Sequence, residues 1–343
     1  MALISVILSV YNQSAACLKR CFHSVLDQFD PAQSELIIVD DGSEKAVADY
    51  CDRYASLYPH CKVYHEKNIG VSTARNVGLS KASGDFVMIL DADDRFAPGT
   101  YEALLPYLKQ STDLIIFNTI NIKDGIQTPS EMFDLPDGTL LDGNDRKDLL
   151  LNIISNGYKK AKAGSGMQTV WAKAYNRKVL DRYGMRFNCK LKVAEDICFF
   201  GEFVKRCEGG IYYLNRHLYY RYKNKKSLMN KYLPDILNND GSFIADLRKT
   251  VSGVPSLSES DIECAMRKRY VLCVFGICRY YLCHAQNGMS LSQRAEALRR
   301  VISAQPYREG IRKARLRWFG KRNALKLLLL KLHMEKSMIR FLC

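Results

Sequence analysis

The first 119 residues alternate short apolar runs with stretches of helical period, an order typical of a mostly parallel sheet wrapped by helices. The predicted strands are Leu3–Val10, Glu35–Val39, Lys62–His65, Phe86–Leu90 and Leu114–Thr119. The predicted helices are Ala15–Gln28, Glu44–Leu57 with Ser43 as its N-cap, and Ser72–Lys81. With 343 residues, 47% of them hydrophobic, the chain can bury a large core. The sequence therefore predicts an α/β fold.

Polar side chains follow four of these runs, at the point where each predicted strand ends. They are Tyr11-Asn12, Asp40-Asp41-Gly42-Ser43, Asn68-Ile69-Gly70 and Asp91-Ala92-Asp93-Asp94. In open sheets of parallel strands, ligands bind at the carboxyl ends of the strands. The sequence therefore predicts a binding site at this edge of the sheet.

The aspartates in these clusters favour a cation and a nucleoside. Mg²⁺ or Mn²⁺ takes one or two protein carboxylates and completes its shell with phosphate oxygens and water, and Asp91 and Asp93 supply such carboxylates. Asp40 and Asp41 suit hydrogen bonds to a base or ribose, because carboxylate and bare phosphate repel each other. Clustered aspartates are also common in turns, so Asp91 and Asp93 alone leave that interpretation open.

Arg75 lies one turn inside the third predicted helix, after the turn at Gly70. From there its planar guanidinium can reach the strand ends, where it suits bidentate recognition of a phosphate or a carbonyl edge. The alternative interpretation is an ordinary surface arginine.

Four segments together resemble the family 2 glycosyltransferases with a GT-A fold. They are Ser5–Asn12, Val39–Ser43, Asn68–Asn76 and Gly84–Asp94. The resemblance is strong over about residues 2–110 and weaker over about 165–228. It implies a Rossmann-like, mostly parallel sheet sandwiched by helices. We expect residues 1–118 to form the nucleotide-sugar-binding half of the GT-A domain and residues 119–230 the acceptor-binding half, with a Tyr-rich strand at Tyr212–Tyr222.

The resemblance also implies roles for individual residues. The nucleotide-sugar is expected to contact Ser9, Tyr11, Asp41, Asn68, Arg75, Asp91 and Ala92. Among these, Asp41 would bond the uracil with the help of Arg75, and Asp91 would face the ribose and the donor sugar. Asp93 would bind the metal, Mg²⁺ or Mn²⁺.

Glu195-Asp196 resembles the family's Glu-Asp element, in which the aspartate at the start of a helix is the catalytic base. Such a carboxylate removes the proton of the attacking acceptor hydroxyl. By position alone, the pair could equally be acidic residues stabilised by the helix dipole. Weaker similarities assign Trp171, Glu195 and Arg221, with Ser227, to the acceptor or the diphosphate, although core packing also explains Trp171.

Residues 231–343 have a wholly helical pattern. Ser260–Glu263 fits a capping box that begins a helix running to about Gln286, and Ser290–Gln293 repeats the device. From Arg308 to Cys343 there are eleven Lys or Arg and two Glu, so this segment carries +9 of the net charge of +15. The C-terminal region is therefore predicted to be helical and basic.

The end of the chain has the pattern of a basic amphipathic helix. Its apolar residues are Leu325, Leu328, Leu329, Leu332 and Ile339, and its cations are Arg322, Lys326, Lys336 and Arg340. Such a helix can lie on an anionic bilayer, or it can pack its leucines against preceding helices. No pattern of a nucleic-acid-binding motif accompanies the charge.

The N-terminus opens on an apolar strand without a basic leader, and the longest apolar runs are far shorter than a bilayer-spanning helix. We therefore expect a cytoplasmic protein that contacts the cytoplasmic face of the inner membrane peripherally. The predicted function is inverting, metal-assisted transfer of a hexosyl or N-acetylhexosaminyl group from a nucleotide-sugar, expected to be a UDP-sugar, to a glycan or lipid-linked saccharide. The alternatives are a non-catalytic nucleotide-sugar- or membrane-binding protein and a sugar nucleotidyltransferase.

Overall fold

A mixed sheet forms the centre of the N-terminal part of the protein. The computed structural model describes residues 4–156, 166–223 and 232–343, and the chain divides into two compact units. The first unit contains residues 1–153 and 157–224, and the second contains residues 154–156 and 225–343.

The sheet of the first unit has ten described strands. They are β1 (Ile4–Val10), β2 (Ser34–Asp40), β3 (Cys61–His65), β4 (Phe86–Asp91), β5 (Arg95–Phe96), β6 (Thr112–Lys123), β7 (Ile126–Ser130), β8 (Thr139–Leu140), β9 (Lys173–Asn176) and β10 (Gly210–Tyr222). Their order is β3-β2-β1-β4-β9-β6-β10-β5, with β7 paired to β6 and β8 paired to β10.

The five strands predicted in the first 119 residues, and the Tyr-rich strand at Tyr212–Tyr222, are confirmed as β1, β2, β3, β4, β6 and β10. Strands β3, β2, β1 and β4 are parallel, and β9 runs antiparallel to its neighbours β4 and β6. Strand β2 is buried throughout, as are all but the last residue of β4, because helices cover both faces of such a sheet.

Seven helices of the first unit are described between its strands. They are α1 (Ala15–Leu26), α2 (Lys45–Leu57), α3 (Val71–Lys81), α4 (Thr100–Leu104), α5 (Gly143–Ser155), α6 (Arg177–Arg182) and α7 (Glu195–Arg206). Helix α3 packs directly on β1, because a Cβ atom at Gly78 would lie 2.3 Å from Cγ2 of Ile7. The prediction of Ser43 as an N-cap is wrong. Glu44 is the N-cap of α2, and the Ser43 hydroxyl instead accepts a hydrogen bond from the Asn12 amide at 3.0 Å.

The second unit is helical in its described residues, as the sequence predicts. Its helices are α8 (Ile236–Val251), α9 (Glu259–Ile277), α10 (Leu291–Ser303), α11 (Tyr307–Lys313), α12 (Lys321–Lys331) and α13 (Glu335–Leu342). The capping box of Ser290 and Gln293 is confirmed. The predicted cap at Ser260 is wrong, because the Ser258 hydroxyl accepts the Asp261 amide and begins α9 two residues earlier. A π-helical turn, Cys278–Leu282, follows α9, so the helix ends before Gln286.

The C-terminal leucines divide between the core and the surface. Leu327 and Leu330 are buried, whereas Leu325, Leu328 and Leu332 expose 42%, 37% and 59% of their surface. Ile339 is only 1% exposed, as expected for the alternative in which the apolar residues pack against preceding helices. Among residues 4–156, 166–223 and 232–343, no helix combines the length and the apolarity needed to cross a bilayer.

Candidate active site

The polar segments that follow β1, β2 and β4 lie at one edge of the sheet, because these strands are parallel and adjacent. Ser9 of β1 is paired in register with Asp91 of β4 on one side and with Val39 of β2 on the other. Asp41 follows β2 directly, and its amide donates to the carbonyl of Val10 at 2.8 Å. The polar segments predicted at the strand ends are therefore neighbours at one edge of the sheet.

Asp41 joins the segment after β2 to the start of α3. Its Oδ1 accepts the Ile69 amide at 2.6 Å, and its Oδ2 accepts the Gly70 amide at 3.0 Å. The two segments are in close contact, since a Cβ atom at Gly42 would lie 2.6 Å from the Asn68 nitrogen. Burial raises the pKa of Asp41, and the hydrogen bonds from the two backbone amides lower it. Asp41 is thus a fixed acceptor at the edge of the sheet.

Tyr11 and Asn68 lie on the surface beside Asp41. Tyr11 is 50% exposed, and Asn68 is exposed with a positive φ of 48°. The Asn12 side chain holds this region together, because its Oδ1 accepts the Glu44 amide at 2.8 Å. An exposed aromatic ring next to fixed acceptors is a suitable surface for a planar base.

The aspartates after β4 differ in their partners. Asp94 is 3% exposed, and its two oxygens accept the Tyr219 hydroxyl at 2.8 Å and the Tyr222 amide at 2.7 Å. Asp94 therefore fixes β10 to the turn after β4. Ala92 is 8% exposed and lies between Asp91 and Asp93 in this turn. Asp93, unlike Asp94, is only partly buried.

Arg20 in α1 contacts the same turn, and sequence reasoning did not identify it. Its Nη2 donates to the Asp93 carbonyl at 2.8 Å, and its Cζ lies 3.7 Å from the centre of the Tyr222 ring. Since Arg20 and Asp93 are 73 residues apart, no local pattern could have shown the contact.

The residues around Asp93 suit a divalent cation that arrives with a diphosphate. Burial raises the pKa of Asp93 to about 6, and Asp91 adds to the rise while Arg20 and Arg221 oppose it. A nearby cation stabilises the ionised form of a carboxyl group whose pKa is raised in this way. Within the described ranges, no three His, Cys, Asp or Glu side chains are grouped so that they could hold a metal. Asp93 could therefore serve as a single protein ligand, with phosphate oxygens and water in the rest of the shell.

Arg75 occupies the centre of the site. Its Nη2 donates to Asp91 Oδ1 at 3.0 Å, and its Nη1 donates to Asp196 Oδ1 at 2.8 Å and to Glu195 Oε1 at 3.4 Å. The side chain is buried, and its Cζ lies 5.4 Å from the centre of the Phe187 ring. Both terminal nitrogens of Arg75 donate to carboxylates, and its role beside the uracil, which the resemblance implies, stays a prediction.

Glu195 and Asp196 begin α7, after Ala194 with a positive φ of 70°. Their side chains are 14% and 21% exposed, so both reach solvent. Burial raises the pKa of Glu195 to about 7, with a further contribution from Asp196, while Arg75 opposes the rise. Burial also raises the pKa of Asp196, and Arg75 opposes this as well. A partly exposed carboxylate with a raised pKa is suited to accepting a proton near neutral pH.

Trp171 does not form an open platform for an acceptor. It is 4% exposed, it stacks on Tyr219 with ring centres 5.0 Å apart, and a Cβ atom at Gly166 would lie 2.6 Å from its ring. Arg221 lies over the Trp171 ring, with its Cζ 5.6 Å from the ring centre. Ser227 lies outside the described residues.

The chain is similar in sequence to a known family and to individual members of it. The sequence model of the family described as glycosyl transferase family 2 matches residues 5–184. The cholesterol galactosyltransferase of Borreliella burgdorferi is 27% identical over 234 residues, which are 66% of this chain and 61% of that protein. Two other curated relatives are matched over 33% and 29% of their length, so the chain spans less than two thirds of these relatives.

Solved structures share the fold. Staphylococcus aureus TarS 1–349 in complex with UDP-GlcNAc has a TM-score of 0.69 and 18% identity, with 99% of this chain and 90% of that chain covered. The mannosyltransferase PcManGT of Pyrobaculum calidifontis, in complex with GDP-Man and Mn²⁺, has a TM-score of 0.51 and 14% identity, with 99% and 85% covered. The expected GT-A fold is thus confirmed. Because the family's sequence model matches more than half of its residues, the chain belongs to glycosyl transferase family 2.

Proposed function

We propose that this protein transfers a sugar, with inversion, from a nucleotide-sugar to an acceptor hydroxyl of a glycan or a lipid-linked saccharide. The single observation that carries the proposal is the position of Arg75, which bonds Asp91 at the end of β4 and Asp196 at the start of α7. This contact puts the residue expected to face the donor sugar and the expected base in one crevice. A donor and an acceptor bound there would meet between them.

The donor is a UDP-sugar in this proposal. Asp41 presents fixed carboxylate oxygens, and Tyr11 presents an exposed ring, at the place where the uracil is expected. UDP-GlcNAc in TarS and the galactosyl transfer named for the Borreliella relative support a hexosyl or N-acetylhexosaminyl group. Asn68 and Ser9 would complete the nucleoside side of the pocket.

Asp196 removes the acceptor proton. As the acceptor oxygen forms its bond to the anomeric carbon, the bond from that carbon to the diphosphate breaks, and the nucleoside diphosphate leaves with the electron pair. Asp196 takes the hydroxyl proton, and attack from the face opposite the leaving group inverts the anomeric centre. Mg²⁺ or Mn²⁺, bound through Asp93, would neutralise the charge of the leaving diphosphate.

A panel of nucleotide-sugars tests the proposal. The full chain is incubated with UDP-Glc, UDP-Gal, UDP-GlcNAc, UDP-GalNAc and GDP-Man, each with Mn²⁺ or Mg²⁺ and a crude lipid-saccharide extract. We expect the release of UDP from at least one UDP-sugar, dependent on the extract. If no donor is consumed under any of these conditions, the proposed activity is wrong.

Removing the divalent cation is expected to abolish most of the transfer. A cation at a leaving diphosphate contributes several kcal/mol to the transition state, so chelation by EDTA should lower the rate by roughly 10²-fold or more. Excess Mn²⁺ should restore it. Asp93→Asn should raise the Mn²⁺ concentration needed for half-maximal activity, whereas Asp85→Asn, which precedes β4, should not. A wild-type rate unchanged by EDTA would contradict the metal assignment.

The C-terminal helices are proposed to contact an anionic membrane surface. Leu325 and Leu328 of α12 and Leu332, its C-cap, are exposed, and Arg322 lies over the ring of the exposed Phe341, at 5.9 Å. The acidic residues after Arg308 are Glu309 and Glu335, and the buried Glu335 is paired with Arg299. Exposed apolar side chains among uncompensated cations suit an anionic bilayer. The contact would be on the cytoplasmic face of the inner membrane.

Vesicle flotation tests the membrane contact. We expect the protein to float with vesicles of phosphatidylglycerol and phosphatidylcholine. With vesicles of phosphatidylcholine alone, it should stay unbound at the bottom of the gradient. Replacing Leu325, Leu328 and Leu332 by glutamine should weaken partitioning by about 2 kcal/mol, or roughly 30-fold. The effect is smaller than for three fully exposed leucines, because these side chains are already partly buried. Leu57→Gln, at a leucine of α2 that is 71% exposed, is the control. Equal flotation of the triple variant and the control would contradict the assignment.

A further inference from the structure

A lysine side chain, that of Lys173, is buried in the core of the first unit, near the candidate base Asp196. Lys173 begins β9, between β4 and β6, and it is 0% exposed. Its Nζ donates to the Trp171 carbonyl at 3.1 Å and lies 4.4 Å from the centre of the Phe200 ring. Burial lowers the pKa of Lys173 to about 7. An ammonium group in this position opposes folding, and a methionine would fill similar volume without that penalty.

The contact with Phe200 brings the ammonium group to the face of α7 that also carries Asp196. Phe200 follows Asp196 by four residues in α7, and residues with this spacing lie on the same face of a helix. Asp196 is also the carboxylate whose charge acts on Lys173 and partly restores its pKa. Lys173 and Asp196 therefore interact across the boundary between β9 and α7.

The charges around Asp196 explain why a second cation is useful. Arg75 of α3 faces three carboxylates, namely Asp91 of β4 and Glu195 and Asp196 of α7. One guanidinium cannot compensate three negative charges. Each carboxylate raises the pKa of the carboxyl groups next to it, which favours their protonated form. On the β9 side, the charged or titratable groups that face Asp196 are Lys173 and the Tyr175 hydroxyl. Lys173 of β9 is thus a second cation that acts on Asp196, in addition to Arg75 of α3.

We propose that Lys173 is a positioning residue of the transfer reaction, which keeps Asp196 ionised and directed into the crevice from the core side. The inference rests on the proposed role of Asp196 as the base. Lys173 does not touch the substrate in this scheme. It acts through its charge on the carboxylate that accepts the acceptor proton.

Lys173→Met tests this role, because methionine keeps the length of the side chain and removes the charge. The measurements are kcat and donor KM between pH 5.5 and pH 9, together with the melting temperature. We expect kcat to fall by about 10- to 100-fold at pH 7, as part of the contribution of a general base, with donor KM unchanged. The acid limb of the kcat profile should move to higher pH, because the loss of a cation raises the pKa of Asp196. The melting temperature separates loss of the fold from loss of catalysis, because removing the buried ammonium stabilises the protein while losing its interaction with Asp196 and its bond to the Trp171 carbonyl destabilises it.

Lys268→Met is the matched control. Lys268 of α9 is also a buried lysine, at 8% exposure, next to a ring, that of Phe319 at 5.7 Å. Its replacement should leave kcat and the pH profile unchanged. Lys173→Arg, which keeps the charge, should keep the acid limb of wild type. If Lys173→Met does not fold, Lys173→Gln is measured instead with the same expectations, since its amide can still donate to the Trp171 carbonyl.

Two outcomes overturn the inference. The first is a kcat and an acid limb of Lys173→Met that match wild type. The second is a lower melting temperature with no change in either kinetic quantity, which would make Lys173 a packing residue only.

Asp196→Asn is assayed in parallel. If wild type is inactive, or if Asp196→Asn is fully active, the proposed function fails and this inference fails with it. If both behave as expected, a wild-type profile for Lys173→Met rejects the role of Lys173 alone.

Discussion

Asp196→Asn is expected to lower kcat by about 10²- to 10⁴-fold, because the amide cannot accept the proton of the acceptor hydroxyl. The amide oxygen can still accept the bond that Arg75 now gives to Asp196 Oδ1 at 2.8 Å. The variant should therefore fold, and its affinity for the nucleotide-sugar should stay close to that of wild type. Initial rates at saturating donor, with UDP affinity measured by calorimetry, separate the two quantities.

Glu202→Gln provides the control for this experiment. Glu202 lies in the same helix, α7, and pairs with Arg206 one turn later at 2.7 Å. Its replacement should change neither kcat nor donor affinity. If Asp196→Asn retained the wild-type kcat while Glu202→Gln behaved as expected, Asp196 would not be the base.

Arg75→Gln is expected to have the largest effect on stability. Removing one partner of a buried ion pair leaves the others uncompensated, which destabilises by about 3–5 kcal/mol. We expect the lower end, about 3 kcal/mol, because Asp91, Glu195 and Asp196 remain 32%, 14% and 21% exposed. Chemical denaturation monitored by circular dichroism measures the change. Transfer activity should be lost as well, since Asp91 and Asp196 are no longer joined.

The stability loss of Arg75→Gln should depend on pH. Burial raises the pKa of Glu195 from 4.5 to about 7, and Arg75 opposes that rise. A carboxyl with a raised pKa in the folded state favours folding below its unfolded pKa, and this contribution is lost as pH rises through the folded pKa. The folded protein should therefore lose stability between about pH 4.5 and pH 7, more steeply in Arg75→Gln.

Arg182→Gln is the control for the stability measurement. Arg182 and its partner Glu208 are 63% and 70% exposed, and exposed pairs contribute little. This variant should unfold as wild type does at every pH. An Arg75→Gln variant that was equally stable at pH 5 and pH 8, relative to wild type, would contradict the electrostatic role of Arg75.

Much of the N-terminal fold could be predicted because its signals are local. Each apolar run in β1, β2 and β4 is long enough for one strand, and short polar segments separate strands from helices. The rule that ligands bind at the carboxyl ends of parallel strands then predicts a site at the edge where these polar residues lie. The resemblance to family 2 glycosyltransferases added Asp196, which position alone would have assigned to a helix N-terminus.

Other features could not be predicted, because they depend on residues far apart in the chain. Strand β9 has only four residues and inserts antiparallel between β4 and β6, so no periodicity identifies it. Ser43 was predicted to cap α2, but its hydroxyl accepts a bond from Asn12, 31 residues earlier. Arg20 contacts the turn at Asp93 through a similarly distant pairing.

The sequence by itself determined that the chain begins with the strands of an α/β sheet, that acidic residues follow these strands, and that the C-terminal region is basic and helical. Period, chain order and composition are properties of neighbouring residues, so these features need no tertiary information. Only the tertiary structure decided which side chains neutralise one another. Arg75 pairs with Asp91, 16 residues away, and with Asp196, 121 residues away, because α3 packs on β1 with Gly78 against Ile7 and α7 begins at the same edge. Burial in the folded protein then raises the pKa values of carboxyl groups such as Asp93 and Glu195, which the sequence alone does not determine.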